Sequence, residues 1–241
     1  MYHLKIHHTD TLMNTLHFSS ASAASVHIFS SLESVALDTL PYLQHGTVGF
    51  SGGTTYKTLF SLWAQKKPNC SDASFFPVDE RLVPFDDPAS NWGAAYRLFL
   101  NPVGKSSNKT HAALSAKQYN NLLHSHFSTV PPVFDVIFLG MGSDGHTAGI
   151  FPGTPHVVNP AIRVLETTSP VAPIQRISLS MTVLAAAKNL IVVIAGAEKT
   201  AAVAGILNNN NVLPIVQVLS QRSNSIVYIE RQVYSAGQRN I

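Results

Sequence analysis

Asp144 and His146 stand two residues apart in a glycine-rich stretch, Gly140-Met-Gly-Ser-Asp-Gly-His146. An imidazole beside a carboxylate is the usual side-chain general base, because the carboxylate orients the ring and favours its protonated form. At this spacing the two side chains either bond directly or line one pocket, and the glycines let the backbone pass close to a ligand. Two further clusters could serve the same chemistry. Ser51-Gly52-Gly53-Thr54-Thr55 is either a phosphate cradle at a helix start or a plain strand-to-helix turn capped by threonine. Asp79-Glu80-Arg81 offers a guanidinium able to grip a phosphate or carboxylate with two parallel hydrogen bonds, beside carboxylates able to orient a histidine or water. On its own that triplet reads as solvated charge. Arg176 and Lys199 could add cations to the same site, although each in isolation reads as surface charge. The other histidines, such as His7, His8, His124 and His126, lack a carboxylate-and-glycine setting and read as surface.

Each cluster follows an apolar, strand-like run. Val48 to Phe50 precedes the first, Ala73 to Val78 the second, and Leu190 to Ile194 the segment Gly196-Ala-Glu-Lys199. Phe134 to Leu139, before the histidine loop, is nearly all apolar, as a parallel strand covered on both faces must be. Helical spacing covers 55–65, 90–100, 115–127, 180–188 and 196–207. Strands are predicted over 162–166 and 225–229, and one long or broken helix over 20–42. This alternation predicts an α/β fold, a three-layer α/β/α arrangement with a mostly parallel, Rossmann-like central sheet, as one domain over residues 1–241. Ligands in such sheets bind beyond the carboxyl ends of the strands, where the polar clusters fall.

Composition narrows the function classes. Charged residues make up 12% of the chain, about half the usual ~25% share, while 45% is hydrophobic, so disorder is not expected. The net charge is only +3 and Lys66-Lys67 is the one adjacent basic pair, which excludes a basic nucleic-acid face but suits a small anionic substrate. Cys70 is the only cysteine, so neither an intramolecular disulfide nor a multi-thiolate metal site can form. With no His-x-x-x-His beside a carboxylate, no metal is expected. No dinucleotide fingerprint or Walker loop follows the first strand, so no cofactor is expected either, and a G-x-S-x-G nucleophile elbow is absent. The run Leu190 to Ala197 is too short to span a bilayer and residues 1–10 hold no apolar signal core, so a cytoplasmic protein without membrane contact is expected.

Taken together, SGGTT at 51–55, DERLVP at 79–84, DDPASN at 86–91, FDVIFLGMGSDGHTAGIFPG at 134–153, PIQRISLSMTVLAAAK at 173–188 and GAEKTAAV at 196–203 resemble the 6-phosphogluconolactonase family. They stand in the family's order and cover most of the chain from about residue 20. The 134–153 stretch also resembles glucosamine-6-phosphate deaminases, which share the fold. Those enzymes carry a glutamate five positions after the loop histidine and usually an aromatic residue where Arg81 stands; this chain has Phe151 and Arg81, as the lactonases do. It departs from the family at Tyr56, usually proline, at Ile174-Gln175, often His-Glu, and at Ala148-Gly149, usually Ala-Ser.

The resemblance implies hydrolysis of 6-phospho-D-glucono-1,5-lactone to 6-phospho-D-gluconate, the second step of the oxidative pentose phosphate pathway. It implies His146 as the base for water, with Asp144 or Asp79 holding the loop or the imidazole. Backbone N–H groups near Gly142 or Gly52 are candidate oxyanion donors. Arg81, Arg176, Lys199 and the Ser51, Gly52, Gly53 and Thr54 segment would hold the phosphate, with Asn91 supporting Arg81 or a sugar hydroxyl. The implied partner is a small sugar phosphate lactone, and the implied assembly a monomer or homodimer. A deaminase-like enzyme is the nearest alternative, and Phe151 argues against it. A non-catalytic sugar-phosphate sensor is the other, and the retained His146 and the lack of room for a DNA-binding helix pair before residue 48 argue against that.

Overall fold

A computed structural model describes residues 13–105, 115–154, 159 and 161–240. His7 and His8 lie outside the described residues. The elements run β1 (Met13–His17), β2 (Ala23–Phe29), α1 (Leu32–Thr39), β3 (His45–Phe50), α2 (Thr54–Gln65), β4 (Asp72–Pro77), β5 (Asp79–Arg81), α3 (Asn91–Ala95), α4 (Ala116–His126) and β6 (Val136–Leu139). They continue with β7 (Val164–Thr168), β8 (Gln175–Leu179), α5 (Met181–Ala186), β9 (Asn189–Ile194), α6 (Thr200–Leu207), α7 (Pro214–Leu219), β10 (Ile226–Glu230) and α8 (Arg231–Gln238). The central sheet has the order β1-β2-β10-β9-β6-β3-β4, parallel throughout except for the β1–β2 pair. Side chains alternate across a strand, so β6 sends Ile137 and Leu139 into one apolar cluster and Val136 and Phe138 into the other. β9 divides in the same way, with Leu190, Val192 and Ile194 on one face and Ile191 and Val193 on the opposite one. Two cores sandwich one sheet, giving the expected three-layer α/β/α fold.

Three features differ from the sequence reading. Residues 20–42 are not one helix: β2 comes first, and α1 starts only after Ser31, whose hydroxyl accepts the Glu33 N–H at 3.1 Å. The helix-compatible Ser-Ala run is overruled by Val26, His27, Ile28 and Phe29, which pair in parallel with β10. A second, antiparallel sheet, β5-β8-β7, was not anticipated. It makes the Asp79-Glu80-Arg81 triplet a strand in its own right, and its register sets Arg81 opposite Arg176. Finally, His27 is not on the surface but buried in β2, its ring 5.1 Å from that of Tyr228.

The strand starts are tied together by Asp135, just before β6. Its carboxylate accepts the Thr47 N–H at 2.8 Å, the Thr47 hydroxyl at 3.0 Å and Lys188 Nζ at 2.7 Å, linking the starts of β3, β6 and β9. Partial burial works to raise this carboxyl, but the Lys188 and Thr47 bonds outweigh it and hold it below its usual 3.8. A lowered carboxyl contributes stability that is present above the ordinary value and lost as pH falls through the depressed one. Asp135→Asn is therefore expected to lower the Tm at neutral pH. Its gap from the wild type should close as the pH drops below 3.8, which thermal melts across an acid series will read.

Candidate active site

The carboxyl ends of β3, β4, β6 and β9 converge on a cleft of about 570 Å³. One wall is the loop after β6. His146 Nδ1 lies 2.6 Å from Asp144 Oδ1, and the same oxygen accepts the His146 backbone N–H at 3.0 Å. The carboxylate thus fixes both the ring and its backbone. The Gly142 N–H donates to His146 O at 2.9 Å, and a Cβ on Gly142 would collide with the imidazole, so residue 142 must be glycine for the ring to sit there. With Nδ1 committed to Asp144, Nε2 is the nitrogen left for a ligand. From behind, Leu213 packs where a Gly145 side chain would be, and the Ile215 N–H reaches Gly145 O at 3.3 Å.

The second wall is the start of α2. Gly53 occupies its N-cap position at φ 92°, with no side-chain cap. The threonine-capped turn considered from sequence is thus not formed, and the helix presents bare N–H groups to the cleft beside Ser51, Gly52 and Thr54. Tyr56, where the family pattern has proline, is buried and donates its hydroxyl to Leu139 O at 2.9 Å, joining α2 to the end of β6.

The third wall comes from β5 and the start of α3. Asp79 is buried and accepts the Asn91 Nδ2 hydrogen at 2.9 Å. Burial raises its carboxyl, opposed by the charges of Arg81, His146 and Arg176 and by the Asn91 bond. The Asn91 carboxamide fills the space that a Cβ on Gly52 would need, so the first two loops fit only with glycine at 52. Arg81 lines the cleft and is steadied by donating Nη1 to Ala89 O at 2.6 Å. Lys199, after β9, faces the same space in company with Glu198. Burial lowers the Lys199 amine, while Glu198 and Glu230 act to raise it.

Most of the residues expected from sequence therefore meet here: His146, Asp79, Ser51, Gly52, Gly53, Thr54, Arg81, Asn91, Gly142 and Lys199 all line the cleft, and Asp144 supports the imidazole. Arg176 is not among the residues that line the cleft, although the β5–β8 register sets it on the same face as Arg81. It is buried opposite Arg81 in the β5–β8 ladder, with Nη2 3.4 Å from Ser169 Oγ, and acts on Asp79 and Glu80 through its charge. Sequence reasoning missed Glu80. Its carboxylate accepts the backbone N–H groups of Arg81, Asn91 and Trp92, each at 2.7 Å, and the Ser90 hydroxyl at 3.0 Å. Burial raises this carboxyl while those amide bonds oppose the shift. Strand alternation was the available signal: Asp79 and Arg81 face the cleft, so the residue between them must point away. Among the described residues no group of three or more His, Cys, Asp or Glu side chains is placed to hold a metal, and no helix is long and apolar enough to cross a membrane.

A parallel sheet with a histidine–carboxylate pair, a bare helix end and cations gathered at its carboxyl edge has the parts of an α/β enzyme site for a small anionic ligand. The chain belongs to the glucosamine-6-phosphate isomerase/6-phosphogluconolactonase family, whose model matches residues 19–228. It is 32% identical over 193 residues to 6-phosphogluconolactonase 4 of Saccharomyces cerevisiae, covering 71% of this chain and 76% of that protein. The crystal structure of a 6-phosphogluconolactonase from Shewanella baltica superposes with a TM-score of 0.71 at 27% identity, covering 85% of this chain and 97% of the other. A monomeric glucosamine-6-phosphate deaminase superposes equally well, with a TM-score of 0.73 over 88% of this chain and 99% of its own, but at 18% identity this likeness is one of fold.

Proposed function

We infer that this chain hydrolyses 6-phospho-D-glucono-1,5-lactone to 6-phospho-D-gluconate, the lactone-opening step of the oxidative pentose phosphate pathway. The observation that carries the reading is the 2.6 Å Asp144–His146 pair on one wall of a cleft whose other walls bear a bare helix end, Arg81 and Lys199. His146 Nε2 takes a proton from water as its oxygen attacks the C1 carbonyl. The tetrahedral oxyanion is met by loop N–H groups near Gly142 or Gly52. The imidazolium then returns the proton to the ring oxygen as the bond from C1 to that oxygen breaks, leaving an open-chain acid. Asp144 orients the ring and offsets its transient charge. Asp79, held by Asn91, receives a sugar hydroxyl or the water. Arg81, Lys199 and the amides of Gly53 and Thr54 take the phosphate, while Arg176, opposite Arg81, adds positive charge beside Asp79.

The fold alone leaves a deaminase open. Phe151 against the imidazole favours hydrolysis, since it sets an apolar ring where a deaminase carries a proton-relaying carboxylate. Cytoplasmic location belongs to the same reading. The direct test is acid release from freshly prepared lactone, corrected for spontaneous opening. Acceleration by the wild type supports the assignment; none, or ammonia release from glucosamine 6-phosphate instead, overturns it. In the same assay Arg81→Ala is expected to raise KM about ten-fold or more with a smaller change in kcat, since a charge-assisted hydrogen bond is worth roughly 1.5–3 kcal/mol. An unchanged KM would remove Arg81 from the phosphate site.

A further inference from the structure

We propose that Phe151 is a positioning residue for His146, supplying the flat apolar wall that fixes the plane of the imidazole and so aims Nε2. The inference rests on the reading of His146 as the base. Phe151 is buried, 8% exposed, and among the described residues it stands outside both large apolar clusters, although its neighbour Ile150 belongs to one of them. Its ring lies instead on the imidazole, with centroids 4.6 Å apart and planes at 38°. Among the described residues, the candidate base is the one aromatic ring this side chain meets.

The backbone is built to make this contact between residues five apart. Thr147 and Ile150 exchange N–H···O bonds at 3.2 and 2.9 Å, and Ala148, between them, is held at φ 52°. That left-handed conformation is costly for a residue with a side chain and persists only where the surroundings impose it. The Phe151 N–H then donates to Thr154 Oγ1 at 3.1 Å, and the Thr154 N–H returns to Phe151 O at 3.0 Å. The chain is thereby folded back so that residue 151 covers residue 146.

Asp144 cannot do this work by itself. A hydrogen bond at Nδ1 and the covalent tether at Cβ fix two points, but the ring can still rock about the line between them, moving Nε2 in the cleft. A wall on one face removes that freedom. Proton transfer is sensitive to such misplacement, and an error of about 1 Å can cost on the order of 100-fold in rate.

The test uses Phe151→Leu, which keeps bulk but loses the flat face, and Phe151→Tyr, which keeps the face. Expected for Phe151→Leu is a kcat lower by about 10–100-fold with KM within about two-fold of wild type, and for Phe151→Tyr a kcat close to wild type. In NMR spectra the His146 ring protons, assigned by their loss in His146→Ala, should show a ring-current shift in the wild type and in Phe151→Tyr that vanishes in Phe151→Leu. Wild-type kcat in Phe151→Leu would overturn the proposal, as would a loss that Phe151→Tyr fails to restore or one that follows a loss of folded protein in thermal melts. A wild type without lactone turnover would sink the functional reading instead, and the ring-current shift would still decide whether Phe151 orients the imidazole.

Discussion

His146→Ala is expected to lower kcat for lactone hydrolysis by about 10²–10⁴-fold, the usual contribution of one positioned general base. The variant should still bind the product, 6-phosphogluconate, with little change, because the proposed phosphate ligands, Arg81, Lys199 and the start of α2, lie on other walls of the cleft. Gly142 loses only a neighbour when the ring is removed, so the loop should keep its path, and thermal melts should remain near wild type. Turnover and product affinity measured on one preparation separate the outcomes. Unchanged turnover would strike His146 from the mechanism, whereas joint loss of turnover and affinity would mean that the imidazole holds the substrate instead of activating water.

Glu80→Ala is expected to cause the largest loss of stability of any single change near the cleft. It strips partners from three backbone amides, those of Arg81, Asn91 and Trp92, and from the Ser90 hydroxyl, all in a setting where Glu80 is 1% exposed. At about 1 kcal/mol per unpaired group, the low end for buried donors, the amides alone account for a loss of about 3 kcal/mol. Activity should fall as well, since the amides of Asn91 and Trp92 belong to the first turn of α3, and that turn presents Asn91 to Asp79. Glu80→Gln, with one acceptor oxygen in place of two, should fall between. Denaturant unfolding of the three proteins gives the order directly, and a Glu80→Ala midpoint equal to wild type would refute the bracing role.

What the sequence revealed and what it hid have the same physical origin. Buried parallel strands read as unbroken apolar runs, so Phe134 to Leu139 and Leu190 to Ile194 were legible, and with them the loops that must follow at the carboxyl edge. Short, half-exposed strands carry little pattern. β7 falls near the strand expected over 162–166, but β5 has only three residues and no strand was expected at β8, so the small sheet that aligns Arg81 with Arg176 went unseen. β2 was hidden by the opposite problem: Ala and Ser tolerate either structure, and only pairing with β10 decides. Asp79 and Glu80 cannot be told apart by type, because their different roles come from the faces on which a strand sets them. The identity of His146 was legible in its glycine and aspartate neighbours, whereas the contact with Phe151 depends on a reversal at Ala148 that no local propensity signals.

The prop behind the histidine loop has a kinetic meaning. Leu213 and the Ile215 amide press on Gly145 from the side away from the cleft, while Asp144, Gly142 and the β6 strand hold the loop from its other sides. A base carried on such a loop does not need to be ordered by its substrate. No closure step has to precede the chemistry on this wall, and the conformational entropy of the loop was surrendered when the chain folded. Affinity that a mobile loop would have spent on its own ordering stays available at the transition state.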